Sequence, residues 1–559
     1  MSDRDDLINF EKETDIKILQ FSVFQIPHKN VLIYLFREID EMIRSKHFEN
    51  YMFSTQANGE ALASRISYLV HLLQKCPSQV EVNAINDLSA TLQFYKDFRN
   101  LITYSHFCEL MPEVRRGYYE VEKIQEGWFK LVHPNEEVAR AEEYDIILTE
   151  LTIAFLVGDP PDLRREFFTL ANQFPSPDMT LMSRVLRILF RYRLNSIQEV
   201  PLLEPNAFQI CIGTTWEDFC KIRAALLAYA DYCIHLGNVL RFFLVNETNN
   251  IRKEALSEKY ERLVTVFDTK DFFIGLLIGL TNVEKSAIEN ILKFYTINID
   301  NQDKTAGDGF FPPLVDYSNS YLFNPYILIL MLTSRNIIYV LNKTNKIQFD
   351  NIVSQYLEPT LLNQAVKILE KLPDLRIVRN AIWSKGEFDL LIYQSSSNTL
   401  LHIQAKAPIP PQGARMTQAV EERSKEGIEQ LNRFQNLPQD ERDTVISEIF
   451  NTPVKKVLCV SVLLCRAGLG THVVWNLKKD IAVVNLQLLN GVIRKIFSEN
   501  LNLSDFKEVT DRLLTDIWNR SVLGWRQGMI GLNESLICMP LLNLNHDVID
   551  PIRRQLNSF

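Results

Sequence analysis

The sequence lacks the features that mark secreted, membrane-spanning and zinc-binding proteins. Its 8 cysteines are scattered, and none has CxxC or Cys/His zinc-site spacing. The segment MSDRDDLINFEKETD (1–15) is charged and has no apolar signal core. The most apolar runs, FFIGLLIGL (272–280) and YILILMLTS (326–334), are shorter than the roughly 20 residues that cross a bilayer. We therefore expect an intracellular, cytoplasmic protein with reduced cysteines and no membrane partner.

Several common catalytic motifs are also missing. The chain has no GxGxxG after a strand, no Walker-type GxxxxGK[ST], no HExxH and no GxSxG. The glycine-containing loops GDGF (307–310) and AGLG (467–470) do not have phosphate-loop spacing. These absences argue against dinucleotide-dependent enzymes, P-loop nucleotidases, zinc metalloproteases and α/β-hydrolases.

Positive charge is not in excess over the whole chain. The formal net charge is -9, which argues against a surface coated in basic residues for nonspecific nucleic-acid binding. The acidity is concentrated in residues 1–350, whereas residues 351–559 have a slight excess of basic side chains. The C-terminal part is therefore the part that we expect to approach phosphate groups.

What is present is an ordinary globular composition in a chain long enough for several domains. Hydrophobic residues make up 46% and charged residues 23% of the 559 residues, and single cores stop growing at roughly 250–300 residues. Apolar residues recur at helical spacing in RISYLVHLLQKC (65–76) and LMSRVLRILFRYRL (181–194). We predict a large all-α N-terminal region over 1–297. The polar segment 298–320 then begins a linker and connecting helix that we place at 298–345.

From Leu372 the pattern changes to short apolar runs with strand character. We predict a mixed α/β domain over 346–490, with a sheet flanked by helices, followed by a C-terminal helical extension over 491–559. The predicted elements are strands at 375–383, 386–393 and 400–407, a charged amphipathic helix at 415–434, and strands at 454–465, 471–477 and 481–486.

Polar residues interrupt the two strands of a predicted hairpin. Since strand side chains alternate between faces, Glu387 and Asp389 share one face of GEFDLLIY, with Phe388 on the other. Gln404 and Lys406 likewise share one face of LLHIQAKA. Two carboxylates, an amide oxygen and an ammonium group make a poor core but suit a hard cation such as Mg²⁺ or Mn²⁺.

These residues resemble the core motif of the PD-(D/E)XK nuclease superfamily, which has the restriction-endonuclease-like fold. In that motif an acidic residue on the second strand precedes (D/E)-x-K on the third, often within a GExD signature. Here Asp389 matches the acidic residue, and Gln404-Ala405-Lys406 matches the last element with glutamine in its first position. The predicted order of helix, three strands, helix and strand also matches, over about residues 350–485.

The resemblance implies a Mg²⁺- or Mn²⁺-dependent endonuclease or phosphodiesterase with DNA as the favoured substrate. Some branches of the superfamily with QxK are active, and Glu387 is the candidate to replace the charge that Gln404 lacks. The family also often has an acidic residue on the preceding helix, for which Glu358 and Glu370 are both options. The metal ligands that the resemblance implies are Asp389, Gln404, Glu387 and the Ala405 carbonyl. The implied catalytic residues are Asp389, Gln404, Lys406 and Glu387. The implied substrate contacts are Lys425, Gln430 and Arg423.

Two functional hypotheses follow from the sequence. The first is an active nuclease whose helical N-terminal region binds a protein partner or regulates the site, and fold-level analogy links such a protein to defence against foreign DNA. The second is a nuclease-like interaction or nucleic-acid-binding protein that does not cut. Gln404 keeps an acceptor oxygen but removes one negative charge, so this residue distinguishes the two hypotheses.

Overall fold

A computed structural model of the chain provides the structure, which is mixed helix and sheet. It describes residues 2–44, 67–69, 72–78, 92–153, 155–156, 158, 160–176, 178–299, 310–412, 414–478, 480–532 and 534–557.

The helices and strands of the described residues are numbered in chain order. The helices are α1 (Asp3–Ile18), α2 (His28–Arg44), α3 (Leu92–Arg115), α4 (Glu136–Thr152), α5 (Arg164–Gln173), α6 (Met179–Ser196), α7 (Pro205–Ile212), α8 (Trp216–Asn246), α9 (Asn250–Val264), α10 (Lys270–Thr281), α11 (Lys285–Tyr295), α12 (Pro325–Met331), α13 (Ser334–Thr344), α14 (Lys346–Gln348), α15 (Ser354–Leu369), α16 (Ala414–Gln435), α17 (Gln439–Phe450), α18 (His472–Leu477), α19 (Leu486–Ser498), α20 (Phe506–Ser521) and α21 (His546–Asn557). The strands are β1 (Glu120–Gln125), β2 (Trp128–Val132), β3 (Phe155–Leu156), β4 (Ile197–Gln198), β5 (Val266–Thr269), β6 (Thr296–Ile297), β7 (Leu314–Tyr317), β8 (Ser320–Phe323), β9 (Leu375–Trp383), β10 (Gly386–Gln394), β11 (Thr399–Lys406), β12 (Leu458–Cys465), β13 (Ala482–Val484), β14 (Val522–Leu532) and β15 (Ser535–Leu544).

Two compact units alternate along the chain. The sheet unit comprises Met1–Ile8, Leu110–Ile153 and Val353–Phe559, and the helical unit comprises Asn9–Glu109 and Ala154–Ile352. The boundaries that we predicted from the sequence, after residues 297, 345 and 490, divide the chain linearly instead. The units are discontinuous because β2 pairs in parallel with β15, far along the chain, and that pairing leaves no local signal in the sequence.

Helices dominate the helical unit, in agreement with its apolar periodicity. The helix α8 has 31 residues and begins after Thr215, whose hydroxyl accepts a hydrogen bond from the Asp218 N–H at 3.0 Å. Short strands also occur, in a sheet of order β5-β8-β7-β6 and in the pair β3-β4. The predicted linker at 298–345 contains β7, β8, α12 and α13, and its residues 300–309 lie outside the described residues.

The sheet unit contains a five-stranded sheet of order β13-β12-β11-β10-β9. The pairs β9/β10 and β10/β11 are antiparallel, whereas β11/β12 and β12/β13 are parallel. The predicted strands at 375–383, 386–393 and 400–407 and the helix at 415–434 are each confirmed to within one residue at either end.

Helices α16 and α17 cover the hydrophobic side of the hairpin formed by β9 and β10. Phe388 and Leu391 of β10 pack with Phe434 of α16 and with Ile446 and Phe450 of α17. The Phe388 and Phe434 rings meet edge to face, with centroids 5.0 Å apart. This core fixes the position of β10, which carries two of the candidate site residues.

Residues 471–477, predicted as a strand, form the helix α18 (His472–Leu477), so this prediction was wrong. The buried residues Thr471, Val474 and Trp475 have helical spacing rather than alternation. Asp145 of α4 fixes the start of this helix, since its carboxylate accepts from the Gly470 N–H at 3.2 Å and the Trp475 indole N–H at 2.9 Å. The β-branched composition of the segment was outweighed by these contacts.

Residues 491–559, predicted as a helical extension, also contain an antiparallel hairpin. Strands β14 and β15 pair with each other and complete a sheet of order β1-β2-β15-β14. Helices α20 and α21 flank this hairpin in the sequence. The predicted extension is therefore only partly helical.

No single helix of the described residues is both long and apolar enough to cross a membrane. The helices α12 and α13 reach the required length and composition only as a pair, which is bent by 83°.

One buried carboxylate ties the start of β12 to α17 and gives a test of the fold. Asp443 accepts hydrogen bonds from the N–H groups of Lys456 at 2.6 Å and Val457 at 3.1 Å. We expect Asp443→Ala to lower the free energy of unfolding by about 2 kcal/mol, because both N–H groups lose a charged acceptor. Urea unfolding of the full chain measures this change. The exposed residue Glu448 on the same helix supplies the control, Glu448→Ala, and equal stability of the two variants would contradict the assignment.

Candidate metal and phosphodiester site

The candidate site lies where backbone pairing between β10 and β11 ends. The last backbone pair is Leu390 with Ile403. Beyond it, side chains make the connections: the Ala405 N–H donates to the Asp389 carboxylate at 2.7 Å, and the Gln404 amide donates to the Glu387 carbonyl at 3.1 Å. The predicted site residues of both strands therefore meet at this end of the hairpin.

Strict alternation does not hold along this part of β10. Phe388 and Leu391 belong to the same hydrophobic cluster although they are three residues apart, whereas regular alternation would separate them. On the β9 side, Asp389 and its expected partner Asn380 are missing from the otherwise continuous register, and Asn380 has a φ of 50°. A local irregularity centred on Asp389 therefore interrupts the regular alternation from which we predicted that Glu387 and Asp389 share one face.

The carboxylates of the site repel one another. Burial raises the pKa of Asp389, and Glu387 and Glu426 raise it further, while the Ala405 N–H and Lys406 oppose the change. Burial likewise raises the pKa of Glu358 to about 7, and Asp389 adds to that shift. The negative charges of these carboxylates therefore outnumber the single positive charge of Lys406.

Glu358, and not Glu370, is the helix carboxylate near Asp389. Both residues belong to the region of α15, where Glu358 is partly buried and interacts electrostatically with Asp389 and Lys406. Glu370 is exposed at the end of the same helix. Twelve residues of helix correspond to about 18 Å, which separates Glu370 from the site.

Lys406 is nearly buried, with 9% of its surface exposed. Its stem lies against α16 at Gly427, where an added Cβ would come within 3.2 Å of the Lys406 Cε and 2.7 Å of the Leu463 Cδ1. A glycine is needed at this point for α16 to approach the sheet so closely. The ammonium group lowers the pKa of both Asp389 and Glu358, which places it among the carboxylates.

Gln404 is fully buried and has one oxygen without a protein partner. Its amide nitrogen donates to the Glu387 carbonyl and lies 3.3 Å from the Nε2 of His402. Burial lowers the pKa of His402 to about 3, so this imidazole is neutral and its Nε2 can accept. The Gln404 Oε1 has no hydrogen-bond partner, and a buried acceptor in this state is costly unless a ligand or water satisfies it.

The predicted substrate contacts on α16 differ in whether they have partners within the protein. Lys425 pairs with Glu421, and Arg423 pairs with Glu426 at 3.1 Å. Gln430 has a buried Oε1 without a partner.

Glu426, which was not predicted from the sequence, lies on α16 and raises the pKa of both Asp389 and Glu358. Its position directly before Gly427 was the available signal, since a glycine inside an amphipathic helix often marks close backbone approach.

The donor set fits a hard divalent cation. Asp389 keeps a second carboxylate oxygen besides the one that Ala405 occupies, and the Gln404 Oε1 is unsatisfied. Oxygen ligands of this kind suit Mg²⁺ and Mn²⁺. Within the described residues, no group of three His, Cys, Asp or Glu side chains is arranged to hold a metal.

Comparisons of the chain with protein-family models, curated proteins and solved structures gave no match.

The raised pKa of Glu358 gives a prediction about stability. Its folded-state pKa, about 7, exceeds the ordinary glutamate value of 4.5, so the folded protein holds more protons than the unfolded chain between these pH values. The free energy of unfolding of metal-free protein should therefore fall as pH rises from about 4.5 to 7, by at most about 3 kcal/mol from this residue. The pKa of Asp389 is also raised in the folded protein, so this residue likewise lowers the free energy of unfolding as pH rises.

Urea unfolding in EDTA across this pH range measures the effect. We expect Glu358→Gln to flatten the dependence and Glu370→Gln to leave it as in the wild type. A Glu358→Gln variant with an unchanged slope would contradict the electrostatic account of the cluster.

Proposed function

We propose that the sheet unit is a metal-dependent nuclease that hydrolyses phosphodiester bonds, with DNA as the favoured substrate. The observation that carries this proposal is the electrostatic interaction of Asp389 with Glu358 and Lys406 near the point where the β10/β11 ladder ends. Partly buried carboxylates with raised pKa values beside a lysine are typical of functional sites, because the arrangement costs folding free energy.

The order of elements supports the same proposal. Helix α15 precedes β9, β10 and β11, then α16 and α17 follow, and β12 joins the sheet in parallel beside β11. This order agrees with the helix, three strands, helix and strand that the PD-(D/E)XK resemblance implies. Asp389 and the segment Gln404-Ala405-Lys406 then occupy the second and third strands, as the motif requires.

We assign Mg²⁺ or Mn²⁺ to the oxygen donors of Asp389 and Gln404, with the Ala405 carbonyl, Glu387 and Glu358 as further candidate ligands. A bound divalent ion would supply charge neutralisation at a phosphate oxygen and a lower pKa for coordinated water. The protein's own part is to hold these oxygens together against their mutual repulsion. The Ala405 N–H does this for Asp389 by occupying one carboxylate oxygen at 2.7 Å.

Lys406 supplies the positive charge of the proposed site. Its stem lies against α16 at Gly427, and its ammonium group interacts electrostatically with Asp389 and Glu358. A preorganised cation of this kind stabilises negative charge that develops on a phosphate in the transition state. Glu358 has a pKa of about 7, which is suited to accepting a proton near neutral pH.

The helical unit has no site residue in this proposal. We assign it regulation of the sheet unit or binding of a protein partner. Residues 351–559, which make up most of the sheet unit, have a slight excess of basic side chains, so this is the part of the chain that we expect to contact the substrate.

Cleavage of a supercoiled DNA plasmid with Mg²⁺ or Mn²⁺ tests the nuclease proposal. We expect Asp389→Asn and Lys406→Ala each to lower the cleavage rate by about 100-fold or more, because each removes a charge that acts on the reacting phosphate. Asp389→Asn keeps an acceptor for the Ala405 N–H and so limits damage to the fold.

Controls for both variants come from exposed residues of the sheet unit. Glu370→Gln and Lys455→Ala remove one acidic and one basic group outside the cluster and should cleave as the wild type does. Cleavage that survives in both Asp389→Asn and Lys406→Ala would show that the activity arises elsewhere.

The non-cutting alternative is favoured by one observation. Gln404 uses its amide nitrogen to hold the Glu387 carbonyl, so the residue also has a structural role that does not need a metal. In this alternative the sheet unit binds nucleic acid or protein without hydrolysis.

Gln404→Glu separates the two functions, because an ionised carboxylate can bind a cation but cannot donate to the Glu387 carbonyl. If Gln404 is a ligand, the variant should bind Mn²⁺ more tightly in calorimetry and lose about 1–3 kcal/mol of metal-free stability. Gln418→Glu adds the same charge on the exposed side of α16 as a control. Absence of Mn²⁺ binding in both the folded wild type and Gln404→Glu would favour the non-cutting alternative.

A further inference from the structure

The helix α6 differs in charge from the acidic N-terminal part of the chain to which it belongs. Residues 1–350 have an excess of acidic side chains, yet residues 179–198 contain four arginines and no acidic residue. One of the four, Arg193, is buried and pairs with Asp231 of α8 at 2.5 Å. The other three arginines are exposed, so they are available for a different role.

The three exposed arginines lie on one side of α6. Arg184, Arg187 and Arg191 follow one another at three- and four-residue steps, which places them above one another on a helix surface. The opposite side is apolar and buried, with Val185 and Leu189 in the core of the helical unit. The outer side of α6 therefore presents three cations over about 10 Å of helix axis, and we call these three residues the arginine stripe.

The charges of the arginine stripe are not neutralised within the helical unit. Arg184 lies 3.3 Å from Glu166 of α5, but the Arg184 side chain is 61% exposed, and water screens such a pair. In the part of the chain that the structure describes, Arg187 and Arg191 have no acidic side chain within ion-pair distance. Asp178, directly before α6, accepts hydrogen bonds from the first N–H groups of the helix instead.

A charged helix face can serve only to keep a protein soluble. A solvated face of that kind usually mixes both signs at a spacing of four residues, as in α9 of the same unit, where Arg262 pairs with Glu258 at 2.6 Å. Arg187 and Arg191 are also four residues apart, but their like charges destabilise the helix. The arrangement therefore points to an anionic partner that offsets this repulsion.

The composition of the outer side distinguishes between three kinds of anionic partner. Because the apolar side of α6 packs against α8, the helix has no apolar side to insert into a membrane surface. Protein interfaces have an apolar centre, whereas the exposed residues from 180 to 191 are all polar: Thr180, Ser183, Arg184, Arg187 and Arg191. Interfaces with DNA are more polar and more positively charged than those between proteins. Nucleic acid is therefore the partner that the outer side of α6 fits best.

We propose that the arginine stripe of α6 binds the phosphate backbone of DNA, which gives the helical unit a nucleic-acid contact in addition to that of the sheet unit. The choice of DNA rests on the proposed nuclease function. One strand of B-form DNA has a phosphate about every 3.4 Å along the axis, so the stripe has the length of about three phosphates. Guanidinium groups bind phosphate oxygens in pairs, and contacts to phosphates hold DNA without selecting its sequence.

Fluorescence anisotropy with a labelled DNA duplex in EDTA measures this contact without cleavage. The test variant of the full chain is Arg187→Gln with Arg191→Gln, because these two arginines have no ion pair to lose among the described residues. The matched control is Arg252→Gln with Lys253→Gln, which removes the same charge from exposed residues of α9, a helix of mixed charge.

We expect the test variant to bind the duplex about tenfold more weakly than the wild type at low salt. The slope of log affinity against log salt concentration should become shallower by about 2, because each phosphate contact contributes about 0.9 to it. The α9 control should retain the wild-type affinity and slope. Arg187→Lys with Arg191→Lys keeps both charges and should retain the slope, which separates loss of charge from damage to the helix.

The outcomes separate this inference from the nuclease activity. Wild-type affinity and slope in the test variant, or a wild type that does not bind the duplex, would overturn the proposed contact whether or not DNA is cleaved. Weaker binding in the test variant, but not in the α9 control, would support the contact even if no cleavage is found. Polyglutamate that displaces the labelled duplex as well as unlabelled DNA of equal charge does would overturn DNA as the partner and indicate an acidic protein.

Discussion

The hydrogen bond from the Ala405 N–H to the Asp389 carboxylate holds the end of β10 beside β11 after their backbone ladder has stopped. A strand end without this bond would have an unsatisfied N–H group and a buried charge without a donor, both of which are costly. The bond fixes Asp389 at one position, and the positions of Gln404 and Lys406 follow from the strand that supplies the N–H. The geometry of the candidate site therefore depends on this contact between a side chain and the backbone.

Placing Asp389 at this position costs electrostatic free energy. Glu358, Glu387 and Glu426 all act on Asp389 or on one another, and Lys406 offsets only part of the repulsion. Stability alone would favour fewer carboxylates here, because like charges in a partly buried site raise each other's pKa values. The hydrophobic core around Phe388 positions the strand β10, which carries Asp389 and Glu387.

Local patterns predicted the central strands and the helix α16 closely, because each has its own periodicity and turn residues. The helix at His472–Leu477 and the hairpin β14–β15 were not predicted, because the contacts of Asp145 and the pairing of β15 with β2 join residues far apart in the chain. The site residues on β10 and β11 could be chosen from the sequence, but Glu358 could be chosen over Glu370 only from the three-dimensional position of α15. Regular alternation does not hold near Asp389, where Phe388 and Leu391 share one hydrophobic cluster, and it cannot reveal an irregularity such as the one at Asn380.

The neutral imidazole of His402 has a consequence for the atom that Gln404 can present. Because the amide nitrogen faces both the Glu387 carbonyl and the His402 Nε2, that ring nitrogen must accept and the proton must reside on Nδ1. The Glu387 carbonyl can only accept, so it sets the amide orientation in which Gln404 directs its oxygen away from both partners. A protonated imidazole would turn an N–H group towards the amide N–H, so the burial that keeps His402 neutral preserves this orientation.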